Sequence, residues 1–171
     1  LQVNTGTAGA SPATVGQECP ASRTASSVGN LCVRIYDIGR PMTELAELVP
    51  GQTPNIDRLL TRIDLKEGEF FGFKDRFLVE ITGELLAEKD GDYGFRVASD
   101  DGSELQVGGK VVLSHDGVHP ASFKEGTIRL KAGWHPFRLR YFENDGQEGL
   151  RWEWRPVGAS AFDLITSDSM R

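Results

Sequence analysis

Residues 99–113 read SDDGSELQVGGKVVL, and this stretch combines a hairpin pattern with an unusual pair of carboxylates. The Gly108-Gly109 pair separates two short runs of alternating apolar residues, which predicts a tight β-hairpin. Asp100 and Asp101 stand side by side where this hairpin begins. Successive side chains of an extended chain point to opposite faces, so regular strand geometry cannot aim both carboxylates at one ligand. Either one aspartate serves only the turn, or the backbone here departs from regular geometry.

The same period of two continues on both sides of this stretch, from Arg76 onward. In FLVEITGEL, for example, Phe77, Val79 and Ile81 share one face. Asp-Gly and Gly-Gly pairs follow at strand-length intervals, as in antiparallel hairpins. The pattern predicts an all-β fold, an antiparallel β-sandwich of roughly eight to ten strands. The predicted core includes Phe95, Val97, Leu139, Tyr141, Trp152 and Trp154.

Short helical turns are expected only near the N-terminus of the domain. MTELAELV (42–49) and TPNIDRLLTRI (53–63) show brief helical spacing of their apolar residues. In the second segment Thr53 is suited to the N-cap and Pro54 to the first helical position. We expect one or two helical turns in each segment.

Composition limits the classes of partner. The chain has 171 residues, a formal net charge of -6 and a pI near 5.1, which fits one domain and argues against nucleic acid or an anionic membrane as the main partner. No run of 18 apolar residues is present, so membrane insertion is not expected. The sequence opens at Leu1 without a signal peptide, and we expect a mature or excised piece of a longer protein.

The N-terminal residues differ in composition from the remainder. Residues 1–31 are rich in Ala, Ser, Thr and Gly and are interpreted as a flexible or disulfide-tethered arm, with the domain at residues 32–171. A bridge between Cys19 and Cys32 would pin this arm to the first strand and contribute about 3 kcal/mol in the loop-entropy model. Such a bridge would indicate an extracytoplasmic protein. The alternative is two unrelated thiols.

Two longer runs resemble a known family. GDYGFRVASDDGSELQVGGKVVLSHDGVH (91–119) and KEGTIRLKAGWHPFRLRYFENDGQEGLRWEW (124–154) look like the anthrax protective-antigen-type module, the β-sandwich domain written PA-fourteen, which occurs in microbial adhesins, glycosidases and toxins. The resemblance extends from about Cys32 to Ile165. The sequence departs from the family at Gly108, where Asp-Gly is more common. Gly-Gly still suits the turn.

The resemblance implies a calcium site. In the sugar-binding branch of the family, the adjacent aspartates are joined by a cis peptide, and together with a second loop they hold a calcium ion that binds a glycan. Carried over to this sequence, the metal ligands are Asp100, Asp101, Asn144 and Asp145, and the glycan contacts are Asp100, Asp101, His119, Asn144 and Gln147. Oxygen ligands of this kind suit calcium. Asn-Asp-Gly is also what a plain tight turn prefers, so a purely structural second loop is the alternative.

The resulting functional prediction is a calcium-dependent carbohydrate-binding module of a larger secreted or cell-surface protein. Its partners would be cell-surface glycans or extracellular polysaccharide, and other domains of the same polypeptide. Phe123 and Phe142 are candidates for aromatic stacking on a sugar, and the alternative for each is a place in the core. The alternative is a structural or protein-interaction β-sandwich without a working sugar site.

Enzymatic function is not expected from the sequence. There is no GxSxG, phosphate-loop or HExxH motif. His115 and His119 are four apart, as zinc ligands on a helix would be, but Asp116-Gly117 between them predicts a loop.

Overall fold

The fold is a sandwich of two antiparallel sheets, which confirms the predicted class. The computed structural model describes Cys19 and residues 30–171, so most of the predicted arm at 1–31 lies outside the described residues. Within them the strands, in chain order, are β1 (Leu31–Asp37), β2 (Ile56–Leu60), β3 (Asp64–Leu65), β4 (Phe77–Ala87), β5 (Gly91–Asp100), β6 (Ser103–Val107), β7 (Lys110–His115), β8 (Ser122–Leu130), β9 (Gly133–Glu143), β10 (Gly149–Arg155) and β11 (Asp163–Leu164).

The strands are divided between a six-stranded and a five-stranded sheet. The order in the first sheet is β2-β1-β4-β9-β6-β7. In the second sheet β11, β10, β5 and β8 follow one another, and β3 pairs with β10. The Gly108-Gly109 turn joins β6 to β7, and both glycines have positive φ angles, 58° and 77°, which glycine adopts without a steric penalty. This hairpin is therefore formed as predicted.

The core lies between the two sheets and is built from the inward face of each alternating strand. Trp152 of β10 is 1% exposed and packs against Phe137 and Phe95, with ring centroids 4.7 and 5.7 Å away. Of the six predicted core residues, five are buried, and only Trp154 is partly exposed. Trp154 lines a surface depression together with Tyr93, Pro156 and Val157, which leaves part of its indole exposed.

The predicted helical turn at 53–63 is wrong, because this segment contains strand β2. Its residues pair antiparallel with β1, and Leu60 lies opposite Leu31 with both side chains buried. A run of five or six residues can fit both the helical period and the strand period of two, and pairing with β1 decides between helix and strand. Within the part of the chain that the structure describes, the helical segment is a 3₁₀ turn at Ser167–Ser169.

The segment at 42–49 also lacks the predicted helical turn and is an irregular loop. Its main-chain N–H groups bind side chains far along the sequence: Met42 donates to Asn144 Oδ1 (2.8 Å) and Leu45 to Asp116 Oδ1 (2.8 Å). These long-range partners satisfy the donors of the loop. We therefore attribute the failure of this prediction to tertiary contacts.

The disulfide between Cys19 and Cys32 is present, as predicted. The main-chain N–H of Cys19 also donates to Asp57 Oδ1 of β2 at 3.1 Å. The arm is thus attached at this point to both β1 and β2. No helix in the described ranges is long and apolar enough to cross a membrane.

Removing the central indole should destabilise the sandwich strongly. We expect Trp152→Ala to reduce the free energy of unfolding by about 3–5 kcal/mol, because no neighbouring residue can fill the cavity left between Phe95 and Phe137. Val111→Ala on edge strand β7, where Val111 is 56% exposed, should change it by about 0.5 kcal/mol or less. Urea denaturation followed by tryptophan fluorescence and circular dichroism measures both. Equal losses in the two variants would contradict the assigned core.

Candidate functional site

The aspartate pair lies where β5 leaves its sheet, and the Asp100–Asp101 peptide bond is cis. The backbone is therefore irregular at this point, which answers the question raised by the adjacent carboxylates. Asp101 is 2% exposed, whereas Asp100 is partly exposed. Carboxylate oxygens of Asp100, Asp101 and a third residue, Glu143, lie within 4.8 Å of one another. Three carboxylates thus converge at one end of the sandwich.

Main-chain amides of two connecting segments hold the aspartates in place. The N–H of Ala121 donates to Asp100 Oδ2 at 3.0 Å, and the N–H of His119 donates to Asp101 Oδ1 at 3.0 Å. On the other side, the N–H of Asn144 donates to Asp101 Oδ2 at 2.9 Å. Hydrogen bonds to a carboxylate stabilise its charged form. The β7–β8 and β9–β10 connections therefore fix both side chains.

Glu143 is the functional candidate that the sequence analysis missed. It is the last residue of β9 and is 0% exposed. Its Oε2 accepts a hydrogen bond from the Tyr141 hydroxyl at 3.0 Å, while its Oε1 is buried with no hydrogen-bond partner among the described residues. The strand pattern contains the signal, because alternation places Glu143 on the same face as Leu139 and Tyr141. A glutamate on the apolar face of a strand is unusual enough to mark a site.

The electrostatics of the cluster reflect its burial. Removal from water raises the pKa of Glu143 to about 8, and the neighbouring Asp101 charge acts in the same direction. Burial also raises the pKa of Asp100. Gathering three carboxylates out of water is unfavourable unless a proton or a cation offsets the charge. The donor set, which is all oxygen, and the unpartnered Glu143 oxygen fit a hard cation.

The second loop predicted from the sequence lies at the edge of this cluster. The Oδ1 of Asn144 accepts from the N–H of Met42, so this amide oxygen is already bonded. Asp145 and Gln147 are exposed, and Asp145 is outside the group of clustered carboxylates. This loop contacts the pair through the main-chain N–H of Asn144, which donates a hydrogen bond to Asp101.

His119 contributes its main chain to the site, whereas its ring faces its own loop. Its Nε2 lies 3.1 Å from the carbonyl oxygen of His115 and its Nδ1 lies 3.0 Å from that of Pro120. The two imidazole rings pack with centroids 4.0 Å apart. The sequence analysis predicted a sugar contact from His119, and that contact stays a prediction; the structure places the main-chain N–H of His119 against Asp101.

Of the two aromatic candidates, only Phe123 is accessible. Phe142 is fully buried, so of the two alternatives for this residue the core role is the one found. Its ring lies over Gly102, where an added Cβ would be 2.5 Å from Phe142 and 2.9 Å from the N of Gly117. The position after the aspartate pair therefore accepts only glycine without displacing the backbone of the β7–β8 connection. This close approach brings that connection next to Asp101.

A loop outside both connections ties the site together. The 42–49 loop bonds to Asn144 in one connection and to Asp116 in the other. The buried guanidinium of Arg140 donates to the carbonyl of Ala46 in the same loop. The three segments around the carboxylates are thus linked by direct hydrogen bonds.

Comparison with known families identifies the family of this chain. The sequence model of the PA14 domain, the protective-antigen-type domain, matches residues 31–167. This chain belongs to the PA14 domain family. No curated protein is similar enough in sequence to count as a match.

Solved structures share the PA14 fold at low sequence identity. The PA14 domain of the MpAFP antifreeze protein has a TM-score of 0.70 at 15% identity, over 87% of this chain and 94% of the other. A PA14 sugar-binding domain from an RTX adhesin has a TM-score of 0.66 at 22% identity, over 81% and 95%. The Epithelial Adhesin 9 A domain from Candida glabrata, in complex with Galβ1-4GlcNAc, has a TM-score of 0.54 at 14% identity, over 90% and 97%. At these identities the similarity shows the fold.

The buried glutamate should make the stability of the cation-free protein depend on pH. Between about 4.5, the ordinary pKa of a glutamate, and about 8, the folded state keeps a proton on Glu143 that the unfolded chain has lost. Raising the pH through this window with chelator present should therefore lower the free energy of unfolding. Glu143→Gln should flatten the dependence. Denaturant titrations at several pH values test this, and equal slopes for Glu143→Gln and the parent would contradict it.

Proposed function

We propose that this PA14 domain is a calcium-dependent carbohydrate-binding module of a larger secreted or cell-surface protein. The observation that carries the proposal is the buried, unpartnered Oε1 of Glu143 in a cluster with Asp100 and Asp101. An unpaired buried carboxylate oxygen is costly, and a bound cation would supply its partner. The function is binding without catalysis.

Calcium suits this cluster better than a transition metal. It takes six to eight oxygen ligands in flexible geometry, whereas zinc sites in proteins are built mainly from histidine and cysteine. Asp100, Asp101 and Glu143 would hold the ion and offset most of its charge. Asn144 and Asp145, predicted from the sequence as further ligands, remain part of the proposal as groups at the rim of the cluster. The exposed Gln147 would face the ligand from the same rim.

The accessible side of the cluster determines what it can bind. Asp101 and Glu143 are buried, and Asp100 is the carboxylate that reaches the surface. A bound calcium ion would offer open coordination positions on that side, where two neighbouring sugar hydroxyls can replace water. Recognition of hydroxyl pairs in this way fits a neutral glycan on an acidic protein of formal net charge -6.

The similar structures support a glycan ligand. One is named a sugar-binding domain of an adhesin, and another is an adhesin domain in complex with a disaccharide. The Cys19–Cys32 disulfide supports an extracellular location, since such bonds persist in oxidising compartments. We infer glycans of a cell surface or an extracellular polysaccharide as partners. The site is a shallow rim, so we expect affinities in about the μM to mM range, with adhesion gained through multiple copies.

Charge removal at the aspartate pair should weaken calcium binding. We expect Asp101→Asn to lower calcium affinity by about tenfold or more. Mutating a residue that only holds a metal ligand in place already lowers metal affinity by about 10- to 100-fold. The matched change Asp92→Asn, at the exposed start of β5 and far from the cluster, should have little effect. Isothermal titration calorimetry with CaCl₂ measures both variants. Unchanged affinity in Asp101→Asn would contradict the proposed site.

Glycan binding should require calcium. On immobilised glycans the parent domain should bind in CaCl₂, lose its signal in excess chelator and recover it when calcium is restored. Asp101→Asn should bind no glycan at the same calcium concentration. Binding that survives chelation would place the glycan elsewhere, and the absence of binding to any glycan in calcium would favour the structural or protein-interaction alternative.

A further inference from the structure

The hydroxyl of Tyr141 bridges the two sheets beside the carboxylate cluster. Tyr141 belongs to β9 in the first sheet and is fully buried. Its hydroxyl donates a hydrogen bond to the main-chain carbonyl of Asp100 in β5 and accepts one from the N–H of Gly149 in β10, at 3.3 Å. Asp100 and Gly149 are paired residues of neighbouring strands in the second sheet. One side chain therefore connects three strands at the end of the sandwich that carries the cluster.

The same hydroxyl also contacts the buried glutamate of the cluster. Its oxygen lies 3.0 Å from Oε2 of Glu143, which is two residues farther along β9. Pairing with Phe77 of β4 fixes the main chain of Glu143, but its side chain has rotatable single bonds. The contact with Tyr141 removes part of this freedom. Oε2 is engaged by the hydroxyl, and Oε1 is the oxygen left without a hydrogen-bond partner among the described residues.

The ring of Tyr141 is itself held firmly. It packs against Phe70 and Phe77, with ring centroids 5.4 and 6.0 Å away, and both of these residues are fully buried. Side chains in a close-packed core have little room to change rotamer. The hydroxyl is therefore a fixed point, to which Glu143 and the carbonyl of Asp100 are both bonded.

We propose that Tyr141 is the positioning residue of the cation site. By holding Oε2 of Glu143 and the main chain of Asp100, its hydroxyl sets the place of two carboxylates relative to each other and presents Oε1 of Glu143 to the cation. Hydrogen-bonded supports of this kind orient metal ligands, and losing one lowers metal affinity by about 10- to 100-fold. This inference rests on the proposed function, because it assigns to Tyr141 the orientation of a proposed calcium ligand.

Tyr93 offers a matched control at the other end of β5. It is 1% exposed, and its hydroxyl is bonded to the main chain of Lys89, at 2.8 Å from the carbonyl oxygen and 3.2 Å from the nitrogen. Tyr93 and Asp100 are about 24 Å apart along the extended strand. Tyr93→Phe therefore removes a buried, hydrogen-bonded hydroxyl far from the cluster.

Calcium affinity is the first measurement. In isothermal titration calorimetry with CaCl₂, Tyr141→Phe should bind calcium about tenfold more weakly than the parent or worse, because the carboxylate of Glu143 is no longer held in one orientation. Tyr93→Phe should bind calcium as the parent does. A purely structural role of the two hydroxyls would lower the stability of both variants without this difference in affinity. Circular dichroism at the titration temperature verifies that both variants are folded.

A double-mutant cycle in excess chelator tests the contact without a cation. Urea denaturation would compare Tyr141→Phe, Glu143→Met and the double variant. The loss of unfolding free energy in the double variant should differ from the sum of the two single losses, because both changes remove the same hydrogen bond. The corresponding cycle of Tyr93→Phe with Glu143→Met should be additive, since these two residues are far apart.

The outcomes separate this inference from the proposed function. Calcium affinity equal to that of the parent in Tyr141→Phe overturns the positioning role and leaves calcium binding intact. An equal loss of affinity in Tyr93→Phe also overturns it, since the effect would then come from reduced stability. Additivity of Tyr141→Phe and Glu143→Met overturns it as well, because the hydroxyl would not hold the glutamate. If the parent binds no calcium, the proposed function fails and the positioning role fails with it.

Discussion

Mutual repulsion among three clustered carboxylates, two of them buried, is the constraint on which the arrangement of the loops depends. Asp100, Asp101 and Glu143 come from the ends of β5 and β9, in different sheets, so the two sheets must meet with these ends together. Main-chain amides from two connections then fix the aspartates. The sandwich supplies the rigidity that holds like charges at close range, and a cation or a proton must offset them.

The surrounding contacts make the site a unit of several loops. The 42–49 loop bonds to both connections, and buried Arg140 holds it from below. Removing a side chain from this hydrogen-bond network therefore affects residues that are far from it in sequence. On the accessible side the network ends at Asp100, where the outer face of the second sheet begins. The candidate site thus has a buried part, which contains the carboxylate charges, and an accessible part, which a ligand can contact.

Local sequence rules predicted the repetitive parts of the molecule and failed where distant segments compete. Alternation identified the strands and five of the six predicted core residues, whereas the sixth, Trp154, lines a surface depression and is partly exposed. The helical spacing at 53–63 was misleading, because Leu59 and Leu60 fit the apolar spacing of a helix as well as that of a strand. Pairing with β1 makes this segment a strand. The 42–49 loop gives its N–H groups to Asn144 and Asp116, which local propensity cannot anticipate.

The sequence by itself determined the all-β class and the position of the aspartate pair, because alternation and turn residues are local properties of the chain. It predicted the Cys19–Cys32 bridge but left two unrelated thiols as the alternative, which the structure decided. Only the tertiary structure decided the membership of the site. It brought Glu143 to the pair, left Asp145 exposed, and placed the main-chain N–H of His119 against Asp101. The physical reason is that these contacts depend on where β5 and β9 end relative to each other and on the paths of three connecting loops. The register of strand pairing in the two sheets sets these positions, and no short stretch of sequence encodes them.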